Sequence, residues 1–139
     1  MRDDEAVDYQ ALAEFRYGLR KFLAFSETAA GGAGLTTQQH QALLVVKALG
    51  GERGVTVGLL SERLLIRQHS AVELVDRLER GGLVGRGSDP ADKRRVLVSL
   101  TEDGESRLAA LSAAHLEELR TIGPALAAIL TGLQRKKSD

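Results

Sequence analysis

Apolar and polar positions alternate along this chain with two periods, and the order of those periods sketches a fold. From Tyr9, apolar residues fall at Leu12, Phe15, Leu19, Phe22, Leu23 and Phe25, mostly at the 3.6-residue spacing of a helix. This spacing predicts a first helix of about 20 residues, preceded by a tail over residues 1–8 and broken by the run Ala29-Ala30-Gly31-Gly32-Ala33-Gly34. Thr36-Thr37-Gln38-Gln39 is a helix-start signal, because a threonine hydroxyl can accept from a first-turn N–H and a glutamine three residues on can reciprocate. That second helix carries Ala42, Leu43, Val45, Val46 and Leu49 and stops at Gly50-Gly51. Val55-Thr56-Val57 is too short for an independent strand but can pair with a later hairpin. Residues 58–65 read as a short helix.

Residues 67–82 give the next helix, with Ala71, Leu74, Val75 and Leu78 on one stripe and Gly81-Gly82 as its end. The period then changes. Leu83 to Arg86 and Val96 to Leu100 read as two strands flanking the loop Ser88 to Arg95, a hairpin with an exposed, basic tip. Thr101-Glu102-Asp103 opens another helix, with a hydroxyl to cap it and two acids at the positive end of its dipole. Its apolar side is Leu108, Leu111, Ala114, Leu116 and Leu119. Gly123-Pro124 is expected to interrupt it, leaving a final short helix from Ala125 to Leu133. The expected fold is therefore mainly α with a small β-hairpin wing: a winged helix-turn-helix lobe plus N- and C-terminal helices. The 139 residues suit one domain, with the lobe at about 35–100 and flanking helices at about 9–30 and 102–135. The terminal helices are surplus to the lobe. Their apolar residues Leu12, Phe15, Leu19, Leu116, Leu119, Leu126, Ile129 and Leu130 are candidate dimerisation positions, since packing against a second copy would cover them.

Composition changes this picture mainly by exclusion. There is no cysteine, which removes disulfides, thiol catalysis and thiolate metal sites. Hydrophobic and charged fractions of 43% and 27% are those of a globular protein. The acidic, polar start MRDDEAVDYQ does not read as a signal peptide, and no apolar run approaches the roughly 20 residues that span a bilayer. A cytoplasmic protein without a membrane partner is expected. Net charge is zero, yet it is unevenly spread: residues 63–95 hold eight basic and five acidic side chains, whereas residues 1–62 hold six and eight. The positive excess sits on the short helix and hairpin, as a nucleic-acid footprint should. A mixed solvated surface is the plain alternative.

Catalytic signatures are lacking. No Ser-His-Asp order with a nucleophile elbow occurs, and AAGGAG follows no strand, so it is not a phosphate-cradling loop. His40, His69 and His115 fall on three different helices and could bind a metal ion only by convergence in three dimensions. Neither an enzyme nor a metal or cofactor site is expected.

Several stretches together resemble the multiple-antibiotic-resistance regulator (MarR) family of bacterial transcription factors over about residues 10–135. They are Gly34-Leu35-Thr36, the run Leu74-Val75-Asp76-Arg77-Leu78-Glu79 followed by Gly82-Leu83-Val84, the loop Asp89-Pro90-Ala91-Asp92-Lys93-Arg94-Arg95, and Leu100-Thr101-Glu102-Asp103-Gly104. The resemblance implies a homodimer with interleaved terminal helices. Each lobe would put a recognition helix in a major groove and the wing in the adjacent minor groove of a pseudo-palindromic operator. It also implies repression, with release by a small aromatic or anionic ligand bound between the dimerisation helices and the lobe. The chain departs from the family pattern at Leu65, where a turn glycine is common, at Arg67-Gln68, where Ser often followed by Pro is common, and at Val72-Glu73, where Thr-Arg is common. Gly85 and Gly87 replace bulkier residues at the wing base.

On that reading Arg94 is the minor-groove residue, because a guanidinium suits a narrow, negative groove, and Asp92 braces it. Lys93 and Arg95 contact phosphate or fold away. Arg67, Gln68, His69 and Ser70 form the front of the recognition helix; Val72 would touch a thymine methyl and Glu73 a cytosine amino group; Arg77 reaches phosphate or pairs with an acid. Each also has a plain reading as solvated surface. Arg16, Arg20 and His40 are the candidate ligand-pocket residues, with surface charge and helix packing as the alternative. A winged-helix adaptor that binds protein rather than DNA is the competing function.

Overall fold

The computed structural model describes residues 6–138, with side chains as far as Gln134. The order is α1 (Tyr9–Gly32), α2 (Thr37–Gly50), α3 (Val57–Leu64), α4 (Gln68–Arg80), β1 (Val84–Ser88), β2 (Val96–Leu100) and α5 (Glu102–Ser138). These pieces form two compact units, one of residues 1–29 with 113–139 and one of residues 30–112.

The 30–112 unit is a winged helix-turn-helix. Its centre is Leu43 and Val46 of α2, Leu60 of α3, Val75 and Leu78 of α4 and Val98 of β2, each less than 2% exposed. The i, i+3 pairs 43/46 and 75/78 present one stripe of each helix, and each such side chain contributes about 1.5–3 kcal/mol on burial. The expected capping box forms: Thr36 Oγ1 accepts from Gln39 N–H at 3.1 Å and Gln39 Oε1 accepts from Thr36 N–H at 2.9 Å. Thr56 caps α3 through Leu59 N–H at 3.1 Å. The hairpin pairs Val84 with Leu100 through Ser88 with Val96 in antiparallel register, so β1 starts one residue later and ends two residues later than the pattern predicted. Val55 bridges Val98 on the other edge of β2, the pairing the sequence allowed for.

Two expectations are overturned. Asp8 belongs to no tail; its Oδ1 accepts from Ala11 N–H at 3.0 Å and so caps α1, while residues 1–5 lie outside the described residues. Pro124 does not interrupt the last helix, which is continuous through it. Part of the penalty of a proline within a helix is the clash with the backbone and Cβ of the residue before it, and Gly123 has no Cβ. The missing donor and the crowding of the Arg120 carbonyl remain, a cost carried by the rest of the 37-residue helix.

In the other unit, α1 and α5 pack closely at Gly18, where an added Cβ would collide with Leu126. Buried Ser26 and His115 hydrogen-bond at 2.9 Å (Oγ to Nε2), with Phe22 and Phe25 edge-on to the imidazole at 5.8 and 5.3 Å.

Candidate nucleic-acid interface

The candidate interface lies wholly in the 30–112 unit and starts with the two helix ends that set α4. Leu65 adopts a left-handed conformation (φ 56°, ψ 44°), and the N–H groups of Leu65 and Ile66 fold back onto the carbonyls of Glu62 and Ser61. That turn aims α4. Its first turn has no side-chain cap, as Arg67 and Gln68 led one to expect. Instead the single proton of Ser61 Oγ is shared between the Gly58 carbonyl at 2.9 Å and Gln68 Oε1 at 3.3 Å, tying α4 to α3. Arg67, Gln68 and His69 are exposed and Ser70 is half-buried. Val72, Glu73 and Arg77 are exposed, on the sides of α4 away from its buried stripe of Ala71, Leu74, Val75 and Leu78.

The wing is a loop of nested turns. Asp89 N–H donates to the Arg95 carbonyl at 3.0 Å, and Arg95 N–H donates to the Asp92 carbonyl at 2.9 Å. Asp92 does brace Arg94: its Oδ1 accepts from the Arg94 N–H at 3.1 Å and from Nε at 3.2 Å. The Arg94 side chain is 91% exposed. Lys93 and Arg95 are exposed as well. Arg67, Arg77, Lys93 and Arg95 enter no ion pair among the described residues. Arg95 and Val96 of the wing, Thr56, Val57 and Gly58 at the start of α3, and Gln68 at the front of α4 line one hollow of about 270 Å³. The front of α4 and the base of the wing thus share a surface, with the exposed Arg95 on its wing side.

Two interactions escaped the sequence reading. Arg86 of β1 donates through Nη2 to Asp76 at 2.6 Å and through Nη1 to Glu79 at 2.7 Å, so the strand leading to the wing is fastened to α4. The hydrogen bond to Asp76 is the chief cause that raises the Arg86 pKa above its usual value, against partial desolvation. Arg53, in the turn after α2, donates through Nη2 to Asp89 at 3.0 Å. The Ala91 N–H, then Arg53, holds the Asp89 carboxyl below the usual carboxylate range, against desolvation. Asp76 and Glu79 at i and i+3 on one face, with an arginine just past the turn, was a readable signal for the first pair; nothing marked the second.

The other candidates fall elsewhere. Arg16 and Arg20 are exposed on α1 in one unit, whereas His40 is buried in the other. Among the proposed dimerisation residues, Leu12, Leu19, Leu116, Leu119 and Leu130 are exposed, while Phe15, Leu126 and Ile129 are half-buried. Among the described residues no group of three or more acidic, histidine or cysteine side chains is placed to hold a metal ion, and no helix is long and apolar enough to cross a membrane.

The sequence model of the MarR family matches residues 33–95, from the capped start of α2 to the end of the wing. Transcriptional regulator HosA of Escherichia coli O111:H- is 41% identical over 66 residues, 48% of this chain and 49% of that protein, so the chain is matched to about half the length of this relative. The organic hydroperoxide resistance transcriptional regulator of Bacillus subtilis (strain 168) is 30% identical over 112 residues, covering 73% of this chain and 74% of the relative. Among solved structures, a mutant of S. aureus MepR bound to an oligodeoxyribonucleotide superposes with a TM-score of 0.69 at 22% identity, covering 94% of this chain and 98% of that one, which establishes a common fold. With the wing, the helix pair and the flanking helices in the same order, the chain belongs to the MarR family of transcriptional regulators.

Proposed function

We propose that this protein is a sequence-specific DNA-binding transcriptional regulator that acts as a homodimer on a pseudo-palindromic operator. The observation that carries the reading is the surface shared by Gln68 at the front of α4 and Arg95 of the wing, with Arg67 and Arg77 exposed on the same helix and Lys93 and Arg94 exposed on the same loop. In this reading the α4 front, Arg67 to Ser70 with Val72 and Glu73, meets base edges in the major groove, and Arg94 enters the minor groove. Lys93, Arg95 and Arg77 serve phosphates. Glu73 is exposed on α4; its carboxylate repels phosphate and can accept from a cytosine amino group. Family membership suggests repression, with release by a small aromatic or anionic ligand as the regulatory mode. It also suggests that the cytoplasm is where the protein works.

The test is fluorescence anisotropy on fragments from upstream of the gene against random DNA, across a salt series. Specific binding with log affinity falling steeply against log salt is expected. Arg94→Ala is expected to weaken operator binding by about 1–3 kcal/mol. Equal affinity of Arg94→Ala and wild type would remove the wing-insertion claim. A wild type that prefers no upstream fragment to random DNA would favour a protein-binding adaptor instead.

A further inference from the structure

Arg53 lies outside every stretch that the family resemblance draws on, yet it holds the root of the wing. Its side chain is 67% exposed, whereas that of Asp89, whose carboxylate it grips, is 3% exposed. Asp89 organises the loop in three directions. Its N–H donates to the Arg95 carbonyl, its Oδ1 accepts from Ala91 N–H at 2.9 Å, and its carbonyl accepts from Asp92 N–H at 3.2 Å. Asp92 then takes the Arg94 N–H and Nε. An unbroken chain of hydrogen bonds and ion pairs therefore runs from Arg53 through Asp89 and Asp92 to the Arg94 guanidinium.

The far end of this chain is fixed. The N–H groups of Arg53 and Gly54 both donate to the Gly50 carbonyl at 3.0 Å, and Val55 and Val98 exchange hydrogen bonds of 2.9 and 2.7 Å. Gly54 lies so close to β2 that a Cβ there would stand 2.5 Å from the Val98 carbonyl oxygen. Gly85 and Gly87 at the wing base contribute no side-chain packing, and added Cβ atoms there would meet nothing within 4 Å. A loop ordered before binding gives up less conformational entropy on binding. A buried carboxylate stripped of its cation is strongly disfavoured, so Asp89 has reason to keep Arg53.

We infer that Arg53 is a positioning residue for DNA recognition: through buried Asp89 it holds loop 89–95 so that Arg94 is presented to the groove. The inference rests on the DNA-binding reading above. Arg53 acts through the wing and not by touching DNA itself.

A double-mutant cycle tests this on the full-length protein with an upstream DNA fragment. Arg53→Ala is expected to weaken binding about three- to tenfold in the wild-type background and less than about twofold in the Arg94→Ala background, the coupling of two residues on one path. Arg53→Lys is expected to recover part of the loss. Asp89→Asn is expected to weaken binding even though it removes a negative charge near the DNA. Full affinity of Arg53→Ala, or an equal loss in both backgrounds, would overturn the inference; the second result would make Arg53 a direct phosphate contact. Amide hydrogen exchange without DNA separates this inference from the functional reading. Faster exchange at Ala91, Asp92 and Arg95 in Arg53→Ala supports the positioning role even if wild type binds no fragment specifically, a result that would sink the DNA reading alone. Unchanged exchange there refutes the positioning role.

Discussion

Leu65 is the one residue other than glycine that is left-handed among the described residues. Three helices here end in the same backbone arrangement, with one left-handed residue and two N–H groups folded back onto the last turn. After α1 the left-handed residue is Gly34 (φ 77°), after α4 it is Gly82 (φ 76°), and after α3 it is Leu65 (φ 56°). A left-handed conformation costs a residue with a Cβ about 1–2 kcal/mol, and Leu65 is 91% exposed, so packing offsets none of it. Leu65→Gly removes that strain but gives the unfolded chain more freedom, worth about 0.4–1 kcal/mol in the other direction. A net stabilisation of about 0.5–1 kcal/mol is expected from urea unfolding, with α4 aimed as before. A destabilised Leu65→Gly would mean that the exposed leucine has a packing role that the folded chain does not reveal.

At the scale of elements, legibility followed how local the physics was. The capping box at Thr36 and Gln39 and the Thr101 cap, whose Oγ1 accepts from Gly104 N–H at 3.1 Å, were readable because all partners lie within three residues. The buried stripe of α4 was readable because its period is a property of the helix itself. Tertiary partners were less so. Arg53 and Asp89 stand 36 residues apart, and no periodicity links them. Residues 83–86 looked like the first strand because Leu83 and Val84 are apolar. In the structure Leu83 instead gives its carbonyl to Thr101 N–H at 3.0 Å, with Gly104 so near that a Cβ there would strike it. The break expected at Pro124 is a local rule overruled by the continuity of α5, and it leads to a measurable consequence. Pro124→Ala restores a donor inside α5 and is expected to stabilise the protein by about 1–3 kcal/mol, compared by thermal unfolding at matched protein concentration. Unchanged stability would indicate that the helix end beyond residue 124 contributes nothing to cooperative folding.

At the scale of the whole molecule the two units differ in how completely they bury themselves. Every fully buried hydrophobic side chain among the described residues lies within residues 30–112. The unit of α1 and α5 segments buries Ser26 and His115 instead, while nine of the fourteen large exposed hydrophobic residues belong to it. The two helices leave Leu12, Leu19, Leu23, Leu116, Leu119 and Leu130 exposed, and a cluster of large apolar residues at a surface is what an interaction site presents. A second copy offering the same face would cover it, and an obligate interface of this kind buries about 2,000 Å² or more. Light scattering at micromolar concentration is therefore expected to give twice the chain mass. Leu116→Asp combined with Leu119→Asp puts four charges into a two-fold interface, and is expected to yield the single-chain mass. The lobe's own core contains neither residue, so circular dichroism should still report its helices. Because a palindromic operator needs two lobes, operator affinity should fall in this variant by orders of magnitude, although the α4 and wing residues are untouched. A wild type of single-chain mass, or a double variant that stays dimeric, would place the dimer interface on some other surface.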